Sequence, residues 1–194
     1  VVSRVAGREL LFGDAEREAF MGMLFKQLAF SGLKAVAWCF MGNHYHLLLE
    51  VPDKESSLAG WTDEDLIGRL ELLRDDLSTR MQLSDARMFR ENGNTPGLAR
   101  IAAGVRARLF DLSAFMKEFK MRVTGWYNQK HGRVGTLWEG TFKARVKVTR
   151  RGDVTPAEGR IIARPRVHSG FVQLRVCSRD GTGDETVSRR HGPR

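Results

Sequence analysis

The feature that most constrains the fold is a pair of apolar stretches joined by a two-residue link, in "LKAVAWCFMGNHYHLLLEVP". Residues 33–41 and 44–51 each have the length and composition of a β-strand. The short link Gly42-Asn43 predicts that they pair as a β-hairpin. Pro52 has no backbone N–H to donate and is expected to end the second strand. In the first strand one face should carry Val36, Trp38 and Phe40.

Two histidines stand at the start of the second strand. Side chains alternate between the faces of a strand, so His44 and His46 are predicted to share one face, opposite Tyr45 and Leu47. Their Cα atoms would lie roughly 6–7 Å apart, and both imidazoles could reach one divalent ion at ~2.0–2.1 Å. A third ligand would have to come from elsewhere. More commonly, such a pair belongs to a polar strand face, or consists of one hydrogen-bonded histidine and one exposed histidine.

The rest of the first 148 residues alternates between strand and helix signals. Thr62 and Asp65 have the spacing of a capping box at the start of one predicted helix. We predict a strand over residues 1–6, helices over 14–30, 63–81, 98–110 and 112–129, a loop over 91–97, and a last strand or bent strand pair over 136–148. This order indicates an α+β domain in which helices flank a central antiparallel sheet.

Residues 149–194 differ from the rest of the chain. They contain ten arginines, no lysine and five acidic residues. They are poor in apolar residues, so they can bury little surface to offset the entropy of ordering. We therefore expect an ordered domain over residues 1–148 and a poorly ordered tail over 149–194. The chain starts at Val1, and we expect it to be a fragment or a processed product.

The net charge of +9 favours a polyanionic partner, nucleic acid before a membrane surface. Two cysteines are too few for a disulfide framework, and no apolar run is long enough to cross a bilayer. We expect a cytoplasmic, nucleoid-associated protein with no membrane partner.

Three blocks together carry a family resemblance. "VAWCFMGNHYHLLLEVP" resembles the signature of the single-tyrosine HUH transposases of the insertion-sequence 200-like group, particularly the REP-associated tyrosine transposases. Gly42 stands where that family usually has proline. "SAFMKEFKMRVTGWYNQKHGRVGTLWEGTFKARV" is similar to the family's next block, and "SRVAGRELLFGDAEREAF" to its opening. The resemblance covers roughly residues 1–148.

This resemblance implies a ferredoxin-like fold and a function in DNA transposition. His44 and His46 would hold Mg²⁺ or Mn²⁺, and a tyrosine would cleave single-stranded DNA at hairpin ends and rejoin it through a phosphotyrosine link. A homodimer is also implied.

The family tyrosine is missing from its usual place after the last strand. The chain has two tyrosines. Tyr45 lies on the face opposite the histidines, and Tyr127 continues the apolar stripe of a helix, so Tyr127 is the remaining candidate nucleophile although a packing role fits it better. We interpret the change in composition after residue 148 as a frameshift that replaced the tyrosine helix. The alternatives are a non-catalytic nucleic-acid-binding protein that keeps the fold, and a small metal-binding or metallohydrolase domain without nucleic acid.

A basic surface is predicted beside the histidines. Its candidate DNA-binding residues lie on the 112–129 helix, the following turn and the last strand: Lys117, Lys120, Arg122, Lys130, Arg133, Lys143 and Arg145. Trp138 could stack on an unpaired base, although a core role suits it better, and Glu139 is a conceivable third metal ligand.

Overall fold

The computed structural model describes residues 1–145 of the chain. Three strands, β1 (Val2–Arg4), β2 (Lys34–Phe40) and β3 (His44–Glu50), form an antiparallel sheet in the order β1-β3-β2. The α+β class and the β2–β3 hairpin are therefore confirmed. The predicted tail, the domain boundary at 148 and the frameshift lie outside the described residues.

Six α-helices accompany the sheet in the described part of the chain. They are α1 (Asp14–Ser31), α2 (Lys54–Ser57), α3 (Asp63–Gly68), α4 (Leu77–Glu91), α5 (Thr95–Arg108) and α6 (Leu112–His131). Short 3₁₀ turns cover Ala6–Arg8 and Arg69–Leu73. Up to residue 145, none of the helices is both long and apolar enough to cross a membrane.

The single helix predicted over residues 63–81 is wrong. The capping box does start α3, since the Asp65 N–H donates to Thr62 Oγ1 at 3.2 Å and the Thr62 N–H donates to Asp65 Oδ2 at 2.8 Å. The helix then tightens into a 3₁₀ turn and stops. Asp76 begins a new helix by accepting the Thr79 N–H at 3.0 Å. The sequence does not show this break, because the apolar spacing continues past it to Leu77 and Met81, although both are exposed in the structure. Likewise, α5 begins at Thr95, inside the predicted loop.

A β-bulge in β2 changes which residues face the core. The pairing shifts between Ala35 and Ala37, which leaves Val36 as the extra residue. Val36 is therefore exposed, while Trp38 and Phe40 pack on the core. The prediction that these three side chains share a face is wrong for Val36, because the extra residue reverses the alternation.

The last predicted strand, over residues 136–148, is not a regular strand as far as residue 145. Two isolated bridges connect this segment to the first strand and its continuation: Lys143 pairs with Val2, and Trp138 pairs with Val5. Between these two bridges lie four residues of the 136–145 segment but only two residues of the first strand, so the ladder of hydrogen bonds is interrupted. The segment still runs along the outer side of β1.

Two apolar cores share α1. The first lies between one face of the sheet and the helices α1 and α6, where Phe20, Tyr45 and Phe119 are fully buried. The second packs α3, α4 and α5 around Phe30 at the end of α1. Gly32 joins them: it adopts φ +77°, and the ring of Phe110 occupies the space that a Cβ would need. Helices therefore cover one face of the sheet.

Candidate functional site

His44 and His46 lie on the face of β3 opposite the core. Tyr45 and Leu47 between and beside them are buried, while His46 is exposed and His44 half-buried. The two imidazole centroids are 5.2 Å apart, and the rings are inclined by 71°. The alternation predicted from the sequence is thus confirmed, and the rings are close enough to ligate a single ion together.

Asn43 holds the ring of His44 in place. Its Nδ2 donates to the Arg8 carbonyl at 2.9 Å, so its Oδ1 is the atom that faces His44 Nδ1 at 2.7 Å. An amide oxygen only accepts, so Nδ1 carries the proton and Nε2 keeps its free lone pair. A histidine with one nitrogen fixed in this way is typical of metal sites. From the sequence Asn43 is predicted only as a turn residue, and its contact with His44 Nδ1 is not foreseen.

Both histidines are kept neutral. Partial burial lowers the pKa of His44, and repulsion from a protonated His46 and from Arg4 lowers it further. Burial also lowers the pKa of His46, with the N-terminal ammonium group and Arg4 contributing. Neutral imidazole is the form that binds a metal ion, so both side chains are available as ligands at neutral pH.

The neighbouring strand places cations beside the histidines. Arg4 pairs with His44 and Val2 with His46, and Lys143 pairs with Val2 on the other side. Residues directly opposite each other point to the same face, so Arg4 and Lys143 belong to the histidine face. Arg4 was not among the candidates, because only the pairing of β1 with β3 brings it there.

Cys39 pairs with His46 across the sheet, so it is the potential ligand nearest to the histidines in the strand register. Within residues 1–145, no three His, Cys, Asp or Glu side chains are grouped so that they could hold a metal ion. Glu139 donates its N–H to the Arg4 carbonyl and is exposed on the histidine face. It is separated from His44 by the width of two strand spacings, about 10 Å. Two imidazoles alone would leave most of the coordination positions of a divalent ion to other ligands.

Both tyrosines of the chain are packed in the first core. Tyr45 is fully buried beside its cross-strand neighbour Ser3, and burial raises the pKa of its phenol far above its usual range. Tyr127 is only 4% exposed; its hydroxyl donates to the Leu11 carbonyl at 3.4 Å, and its ring stacks on His131. Neither phenol points to the histidine face, so Tyr127 is placed as a packing residue.

The predicted basic surface is divided among several parts of the molecule. Lys120 hydrogen-bonds to the Gly140 carbonyl and lies over the Trp138 ring, which is buried. Arg122 faces Asp76 at 3.8 Å in a cavity of about 650 Å³ between α1, α4 and α6. Lys130 pairs with Glu16 at 2.7 Å. The remaining four candidates are exposed: Lys117, Arg133, Lys143 and Arg145.

Of these basic residues, Lys143 is the one that the strand pairing brings to the histidine face. The helix α6 packs on the opposite face of the sheet, so its lysines and arginines are not beside the histidines. The seven predicted basic residues therefore do not form one continuous patch around the imidazoles.

Comparison with known proteins adds no identification: no protein-family model, curated protein or solved structure matches this chain.

Proposed function

We propose that this chain is a transposase-family protein that acts in DNA transposition, binding a divalent metal ion and single-stranded hairpin DNA on the histidine face of its sheet. The observation that carries the proposal is the pair of neutral imidazoles, with His44 oriented by Asn43. The full activity would be metal-dependent cleavage and rejoining of single-stranded DNA.

The strand order supports the ferredoxin-like fold that belongs to this proposal. A ferredoxin-like domain follows the order β-α-β-β-α-β. The chain has β1, α1, β2, β3, α6 and then the segment that bridges to β1, with α2 to α5 inserted after β3. The bridging segment occupies the outer position beside β1, where a fourth strand would complete the sheet.

The histidine face has the chemistry to receive a phosphodiester. Mg²⁺ or Mn²⁺, when bound by His44 and His46, would polarise a phosphate oxygen. Arg4 and Lys143 flank the histidines on the same face, and their positive charges would attract the DNA backbone. Because helices cover the other face of the sheet, the histidine face is the one left for a nucleic acid among the described residues.

A second candidate function is a non-catalytic nucleic-acid-binding protein that retains this fold. The burial of both Tyr45 and Tyr127 favours it, because neither phenol is placed to attack a phosphate on the histidine face. The chain contains no other tyrosine. The two candidates share the metal and DNA site and differ only in whether a covalent intermediate forms.

One experiment separates these candidates. A fluorescent single-stranded hairpin oligonucleotide is titrated with the full chain, with Mn²⁺ or with a chelator, at several salt concentrations. Both candidates predict binding that weakens with salt, with chelation and in a His44→Ala/His46→Ala variant. The control His131→Ala changes a histidine at the end of α6 and should bind like the parent chain.

The same mixture is then run on a denaturing gel. A covalent protein–DNA adduct supports cleavage and rejoining, whereas binding without an adduct supports the non-catalytic candidate. If the parent chain binds metal but no DNA, both are wrong and a metal-binding domain without nucleic acid is left. The proposal also includes cytoplasmic, nucleoid-associated localisation and assembly as a homodimer.

A further inference from the structure

The helix α4 exposes an apolar stripe that neither core uses. Leu77 is 65% exposed, Met81 61% and Met88 46%. The buried side of the same helix is formed by Thr79 and Ala86, which contact the rest of the domain. The exposed stripe is therefore separate from the core, since it runs along the side of α4 that faces away from the domain.

The stripe has the spacing of a coiled-coil seam. Leu77, Met81, Ser84 and Met88 follow one another at intervals of four, three and four residues, which is the alternation of d and a positions in a heptad. All four are exposed. A seam at this spacing stays on one side of the helix and packs against a second helix with the same pattern.

The charges beside the stripe indicate which partner fits. Arg80 and Arg87 occupy the g positions, and Asp85 occupies an e position. All three are exposed, and none makes an ion pair within residues 1–145. In a parallel pair of helices a g residue meets the e residue five positions later on the partner, which places Arg80 of one copy against Asp85 of the other.

We propose that α4 is the dimer interface of this protein and that its partner is α4 of a second copy, packed in parallel around a two-fold axis. The seam would consist of Leu77, Met81 and Met88 from both chains, and two Arg80–Asp85 pairs would flank it. An antiparallel pair would place the arginines at g against each other, which disfavours that orientation. This inference names an interface for the homodimer that is part of the proposed function, but its test measures self-association and not DNA binding, so the two proposals can fail separately.

The size of the contact sets the expected affinity. Two heptads from each chain bury on the order of 1,000 Å² in total, near the lower limit for a specific interface. We therefore expect a dimer that dissociates in the micromolar range and is in equilibrium with monomer. Because the stripe is exposed in the folded monomer, substitutions there should leave the fold intact.

The test is sedimentation equilibrium of the full chain over a range of concentrations. Replacing two seam residues, in Met81→Glu/Met88→Glu, should abolish the dimer, whereas Met121→Glu, which changes a methionine on α6 that is 62% exposed, should not. Circular dichroism checks that all variants remain folded.

Charge exchange tests the orientation. Arg80→Asp should weaken the dimer about tenfold, because two attractive contacts become repulsive, and Asp85→Arg should do the same. The combined Arg80→Asp/Asp85→Arg variant should restore the parent affinity. A parent chain that is monomeric at all concentrations, a dimer that survives the seam substitutions, or a dimer that Arg80→Asp strengthens would overturn the proposal.

Discussion

The ion-pair cluster around Glu16 connects the start of α1 to the end of α6. Glu16 Oε1 accepts from Lys130 Nζ at 2.7 Å and contacts His131 Nε2 at 3.3 Å, while Oε2 accepts the Gly13 N–H at 3.0 Å. The side chain is only 11% exposed. The hydrogen bond from Lys130 is the main reason that the pKa of Glu16 falls from 4.5 to about 2.

We predict that Glu16→Gln destabilises the protein by about 1–2 kcal/mol at pH 7. A pKa that falls from 4.5 to about 2 corresponds to about 3 kcal/mol of preference for the charged form. The Lys130 side chain is 38% exposed, so water screens part of this attraction. Glutamine keeps the size of the side chain and an oxygen for the Gly13 N–H, so the loss reports the charge rather than a cavity.

The sign of the pH dependence follows from the lowered pKa. A carboxylate with a lower pKa in the folded state stabilises fully above its unfolded value of 4.5, and this contribution is lost as pH falls towards about 2. The stability difference between parent and Glu16→Gln should therefore be constant from pH 7 to 5 and shrink below that. Urea unfolding followed by tryptophan fluorescence at each pH measures it.

Glu18→Gln, an exposed position on the same helix, is the matched control and should change stability by less than about 0.5 kcal/mol. The reasoning is refuted if Glu16→Gln costs no more than this control at pH 7, or if its cost stays the same down to pH 3.

Three further predictions concern the site and the packing. Asn43→Ala frees the ring of His44 and should weaken Mn²⁺ binding about 10–100-fold, measured by electron paramagnetic resonance, with little change in stability; unchanged affinity would contradict the orienting role. Gly32→Ala forces a side chain into the space of the Phe110 ring at a φ of +77° and should cost more than about 1 kcal/mol in urea unfolding, whereas Gly22→Ala on α1, where a Cβ meets nothing, should stabilise or be neutral. Tyr127→Phe removes only a long hydrogen bond, so DNA binding and any covalent adduct should persist; loss of an adduct in this variant alone would show that Tyr127 is a nucleophile.

The local sequence pattern was sufficient to predict those elements whose structure depends on residues close together in the chain. The β2–β3 hairpin, the face of His44 and His46, and the helices α1 and α6 were predicted because apolar periodicity and short links act over a few residues. The same reasoning failed at the break between α3 and α4, because the apolar spacing continues from the buried residues of α3 to Leu77 and Met81, which are exposed on α4 and contact neither core. It failed again at Val36, since a bulge has no signal in the alternation itself.

The sequence by itself determined that two histidines stand on the exposed face of a strand, because side chains of a strand must alternate. It also determined that the chain has only two tyrosines that could act as the nucleophile beside these histidines. Only the tertiary structure decided that the Arg8 carbonyl fixes the Asn43 amide that orients His44, that Arg4 and Lys143 join the histidine face, and that both phenols are buried. These depend on contacts between residues far apart in the chain, which burial and strand register fix and which no local pattern encodes.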